Sequence, residues 1–154
     1  MSVSLSTGFR QAILGPLAFE SIFQNGCIEV RSGLQPASAD DAATGELLAR
    51  ITRDGGAWAA GSSGSGLQFV RNGHAIQKPP AHRWVLRGQA SGVATWFRLV
   101  ANAPDAGGQS LSALRIDGAI ALSNSPGSAQ MLLPSTSVTP ATAISLADWW
   151  FILP

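Results

Sequence analysis

The chain has 154 residues, enough for one domain that buries roughly 70% of its unfolded surface without staples. Nine Arg and one Lys stand against nine acidic residues, so the balance supplies neither a basic stripe for nucleic acid nor an acidic tail. Charged residues make up 12% of the chain, against about 25% in average soluble domains, so the surface is either built from small polar residues or covered by neighbours.

Residues 1–24 read as a short helical N-terminal arm, and residues 25–154 as the β-body of a single domain. The opening stretch lacks a basic segment followed by an apolar one, so no signal peptide is expected. Ser6 or Thr7 can cap a first turn. Phe9, Ile13 and Leu14 then recur at helical spacing. Gly15-Pro16 breaks the pattern, and Pro16 suits the first position of a second helix carrying Leu17, Phe19, Ile22 and Phe23. Asn25-Gly26 ends it, because both residues tolerate positive φ.

Strand patterns follow. Cys27 to Ser32 alternates Ile28 and Val30 with Glu29 and Arg31, and Glu46 to Arg53 alternates as well. A long polar loop rich in Pro, Ala, Ser and Asp joins them. Leu67 to Arg71 is a short strand with a turn at Asn72-Gly73. Arg83 to Arg87 and Val93 to Val100 form an expected hairpin across Gly88 to Gly92. Ser112 to Leu122, with a turn or bulge at Asp117-Gly118, Ala129 to Leu133, and Ala141 to Leu153 complete the set. Eight or nine short strands near ten-residue spacing predict a mainly all-β fold, a β-sandwich or jelly-roll-like domain.

Catalytic signals are weak. His74 and His82 lie eight apart in turn and Pro-Pro segments, without metal-ligand spacing. Gly61 to Ser65, GSSGS, falls one residue short of GxSxG, and a strand follows it where a nucleophile elbow needs a helix. Gly61 to Gly66 also lacks the Lys-Ser/Thr ending of a phosphate loop. Cys27, the lone cysteine, reads as a small buried residue. Asp40 and Asp41 read as a solvated turn or a cap, and Asp105 and Asp117 as isolated turn acids. The expectation is a non-enzyme with no catalytic residue, no cofactor and no metal.

The five Trp are anchors of a core, an interface or a sugar platform. Trp149 and Trp150 cannot share one sheet side, so one of them is expected at a contact. The expected interface set is Phe9, Ile13, Phe19, Ile22, Phe23, Trp149 and Trp150. The alternative, a carbohydrate-binding or host-surface-binding module, would use Trp58, Trp84 or Trp149.

Several segments carry a family likeness: Ser6 to Leu14 (STGFRQAIL), Ala18 to Val30 (AFESIFQNGCIEV), Ser32 to Leu48 (SGLQPASADDAATGELL), Gly88 to Val100 (GQASGVATWFRLV) and Leu114 to Ala121 (LRIDGAIA). In order and spacing they resemble small structural virion proteins of tailed bacteriophages and prophages. Gly61 to Ala81 departs from that pattern, being richer in Gly and Ser and carrying Pro79-Pro80. The resemblance implies a non-enzymatic virion subunit, made in the host bacterial cytoplasm and assembled in symmetric copies. It would serve as capsid decoration (cement) or as a neck or tail component. Its partners would be other copies and major capsid, neck or tail subunits, with no nucleic acid and no membrane.

Overall fold

The computed structural model describes residues 3–154, so Met1 and Ser2 of the expected arm lie outside the described residues. The fold is all-β and sandwich-like, with two short helices. In chain order the elements are β1 (Ser4–Leu5), α1 (Thr7–Ile13), α2 (Phe19–Ile22), β2 (Cys27–Arg31), β3 (Leu47–Arg53), β4 (Val70–Asn72) and β5 (Ala75–Gln77). Then come β6 (Trp84–Gly88), β7 (Gly92–Val93), β8 (Trp96–Val100), β9 (Arg115–Leu122), β10 (Met131–Leu133), β11 (Ser137–Val138), β12 (Ala143–Leu146) and β13 (Trp150–Phe151).

The main sheet runs β1-β9-β8-β2-β3-β6-β12, with antiparallel neighbours, and β10 pairs in parallel with the second half of β9. Two adjacent rungs cross its seven strands. The first is aliphatic throughout: Leu5, Ile116, Leu99, Ile28, Ile51, Leu86 and Ile144 stand opposite one another in register. The second is polar at its centre: Ser4, Asp117, Arg98, Glu29, Arg50, Arg87 and Ala143. Successive side chains of a strand point to opposite faces, so the first rung lines the apolar face and the second the other.

The apolar face is roofed by α1, α2 and a small sheet of order β13-β5-β4, which add Phe9, Phe19, Phe23, Ile76 and Phe151 to one continuous core. The residues expected to form an arm are therefore part of the body. β1 is a strand of the main sheet, and α1 is fixed at its start by Ser6, whose Oγ accepts from the Phe9 N–H at 3.1 Å and the Arg115 N–H at 3.0 Å. The second helix is shorter than expected: it starts at Phe19 rather than Pro16 and covers four residues. Asn25 has φ of 61°, and Gly26 follows it where a Cβ would meet the Val100 carbonyl oxygen at 2.2 Å.

The expected hairpin between residues 83–87 and 93–100 does not form. β6 pairs with β3 and β12, and β8 pairs with β2 and β9, so the two flank the β2–β3 hairpin on opposite sides. The chain between them leaves the main sheet, and β7 pairs with β11. The expected last strand also divides: β12 belongs to the main sheet and β13 to the small one. Asp117-Gly118 lies inside β9, not at a turn; a Cβ on Gly118 would fall 2.6 Å from the Phe97 ring.

The polar face is covered by the long loop 32–46. Arg98 binds Asp117 through Nε and Nη2, each at 2.7 Å, and Nη2 also donates to the Asp41 carbonyl at 3.2 Å. Arg115 donates to the Ala39 and Asp41 carbonyls at 3.3 Å and pairs with Asp105. Asp40 receives the Thr7 N–H at 2.8 Å and the Thr7 hydroxyl at 2.6 Å. Two buried arginines and one aspartate thus hold a structureless segment against sheet and helix.

Candidate functional site

The groups with catalytic potential are dispersed. His74 is exposed in the β4–β5 turn, and His82 is half-buried in the loop before β6. Burial, then Arg53 and Lys78, hold the His82 ring below its ordinary pKa against the opposing Asp54. Cys27 is fully buried, and burial with the nearby Glu29 pushes its thiol up to about 12, against Arg50, so it is not a nucleophile near neutral pH. The loop from Gly61 to Gly66 runs into an extended bridge at Leu67, not into a helix. Among the described residues no group of three or more His, Cys, Asp or Glu could hold a metal.

The acids taken as isolated have structural partners. Asp105 binds Arg115. Burial pushes its carboxyl up, but the hydrogen bonds from Arg115 and the Gly107 N–H, with the Arg115 and Arg98 charges, leave it below its ordinary value. Asp117 is buried more deeply. Burial holds it above its ordinary value despite the bidentate Arg98 and the charges of Arg115 and Arg31.

Five residues expected at an interface are core instead. Phe9, Phe19, Ile22, Phe23 and Trp149 are buried within their own chain. Phe9, Phe19, Phe23, Phe69, Trp84, Trp149 and Phe151 form one continuous ring cluster, with neighbouring centroids 5.0–6.3 Å apart. Helices of seven and four residues cannot stand alone in water, so they bury these rings on the sheet beneath them. Ile13 is half-buried. The sugar-platform candidates change in the same way: Trp84 and Trp149 are core, and Trp58 is half-buried with its Nε1 donating to the Asn25 carbonyl at 2.8 Å.

Trp150 alone of the interface set stands out, with 73% of its surface exposed. It sits on β13, which pairs with β5 on one side only and so forms an edge of the small sheet. Strand alternation sends Trp149 and Phe151 inward and Trp150 and Ile152 outward. Leu132, Ile152 and Leu153 are also exposed.

A depression of about 700 Å³ lies beside Trp150, lined also by Gln77, Lys78, Gln130, Leu132 and Asp148. Most of its polar groups are already engaged. Lys78 donates to the His82 carbonyl at 2.8 Å, Gln130 bridges the Ala119 N–H and the Ser128 carbonyl, and Gln77 accepts from Asn72. A second depression, of about 320 Å³, involves Ile13, Leu17, Phe151 and Leu153. The candidate site is therefore an apolar sheet edge between two concavities. The sequence places Trp150 there; Leu132 and Ile152 were missed, although the alternation of Trp149 to Ile152 carries the signal.

No protein-family model, curated protein or solved structure matches this chain.

Proposed function

We propose that the protein is a non-enzymatic structural subunit of a tailed-phage particle, assembled in symmetric copies as capsid decoration or as a neck or tail component. The observation that carries the assembly part is the exposed apolar edge at β13, where Trp150, Ile152, Leu153 and Leu132 meet solvent beside a wide depression. Aromatic and aliphatic anchors at the open side of an edge strand suit a protein partner better than free water. Closed symmetry would let each copy present this edge to the same surface of the next. The phage part rests on the likeness of five sequence segments to small virion proteins.

Quantitative mass spectrometry of particles purified from the host that encodes the chain tests this reading. It predicts many copies per particle, in a fixed ratio to the major capsid or tail protein. Absence of the protein from purified particles contradicts it.

A second reading has one observation in its favour: the exposed Trp150 ring is bordered by the polar residues Gln77, Lys78 and Asp148, as a sugar-stacking platform is. Glycan-array binding lost on Trp150→Ala, with the circular-dichroism spectrum intact, would establish it. No glycan binding by the wild type rejects it.

A further inference from the structure

The charged rung leaves two cations, Arg50 and Arg87, without a hydrogen-bonded anion among the described residues, and of these Arg50 borders a cavity. Glu29 faces Arg98 on one neighbouring strand and Arg50 on the other. Its Oε2 is taken by Arg31, at 3.1 Å from Nε and 2.8 Å from Nη2. Arg98 is neutralised by Asp117, and Arg115 by Asp105. Arg50 reaches only Glu29 Oε1, at 3.6 Å, which is too long for a hydrogen bond. On its other side the directly opposed residue is Arg87, a second cation. Like charges directly opposite each other across a sheet are unfavourable.

Two guanidinium nitrogens here also lack acceptors. The Nε of Arg50 and the Nη1 of Arg98 are buried with no hydrogen-bond partner among the described residues. The Arg98 side chain is 1% exposed. Both arginines line one cavity of about 190 Å³, together with Glu29, Arg31, Trp58 and Asp105. The Arg50 guanidinium lies over the Trp58 ring, 5.8 Å from its centroid. Trp58 is itself tied to the Asn25 carbonyl, so this wall of the cavity is fixed. Buried donors and a surplus positive charge beside one cavity favour an anion there.

We propose that this cavity binds a small oxyanion, one carboxylate or phosphate group in size, with Arg50 as its principal contact and Arg98 beneath it. The ligand takes the acceptor role that Glu29 cannot fill while Arg31 holds it. The volume suits inorganic phosphate or a short-chain carboxylate. This site is separate from the apolar edge and does not depend on the assembly reading.

Isothermal titration calorimetry of the full chain with inorganic phosphate, and separately with acetate, tests the proposal against sodium chloride at matched ionic strength. At least one of the two oxyanions binds with one site per chain, and chloride does not. Arg50→Gln weakens that binding at least tenfold, whereas Arg87→Gln, which removes the same charge outside the cavity, changes it less than twofold. Glu29→Gln tightens binding, since it removes a competing anion. Arg31→Gln weakens it by freeing Glu29 to turn to Arg50, which supplies an independent test should Arg50→Gln fail to fold. Heat with chloride equal to that with both oxyanions overturns the proposal, as does equal loss in Arg50→Gln and Arg87→Gln.

Discussion

Asp117 and Arg98 are buried side by side, and each is the other's counter-charge. Removing one partner of such a pair leaves the other uncompensated and costs about 3–5 kcal/mol. Asp117→Ala therefore lowers stability by that amount in urea unfolding. The double change Asp117→Leu with Arg98→Met recovers most of it, because two apolar groups replace two charges. It does not restore the clamp on the Asp41 carbonyl, so amide exchange in residues 39–43 stays faster than in the wild type.

The two carboxylates titrate with opposite consequences. Asp105 sits below its ordinary value, so its contribution to stability is present above that value and is lost as pH falls through the lowered one. Asp117 sits above its ordinary value, so its contribution is greatest in acid and declines as pH rises through the raised value. Asp105→Asn is accordingly less stable than the wild type at neutral pH, and the difference narrows as pH drops below the ordinary carboxylate range. Melting temperature against pH for the two proteins reads this directly; a constant gap across that range refutes it.

At the scale of elements, α1 depends on a single hydroxyl. Ser6 Oγ accepts from Phe9 and Arg115 and donates to the Ala113 carbonyl at 2.7 Å, joining helix, strand and loop. Ser6→Ala costs about 1–2 kcal/mol by loss of the cap and exposure of buried donors. Phe19, which touches the rings of Phe9, Phe23, Phe69 and Phe151, is more costly: Phe19→Ala removes about 3–5 kcal/mol. Chemical denaturation of both variants checks the order.

The longer strands were readable in the sequence, whereas β1, β5 and β11 were not. The alternation of Ile28 and Val30 with Glu29 and Arg31 gave β2, and similar alternation gave most of β3. Strand partnership was not readable. The nearest run in sequence looked like the natural mate for residues 93–100, yet β8 joins β2, because only that pairing continues both the aliphatic and the charged rung. Asp117 looked like a turn acid because Gly follows it. In the fold it is the partner of an arginine 19 residues away, and the glycine makes room for Phe97.

At the scale of the whole molecule, the apolar N-terminal segment is a roof rather than a detachable arm. Removing residues 1–24 strips Phe9, Phe19, Ile22 and Phe23 from the core and one strand from the main sheet. The truncated chain is expected to lose its cooperative thermal transition, whether or not the intact protein assembles. Of the residues expected at an interface, Trp150 on β13 is left exposed, and alternation along the chain leaves Ile152 beside it without cover. Burying each such side chain at an interface is worth about 1.5–3 kcal/mol before association costs.

The most direct test of the assembly account is the solution mass of the wild type and of Trp150→Ser/Ile152→Ser, by light scattering over a wide concentration range. The account predicts a closed oligomer for the wild type, with the copy number separating a trimer from a sixfold ring. It predicts a monomer of unchanged circular dichroism for the double variant. A wild type that stays monomeric throughout, indistinguishable from the variant, contradicts it.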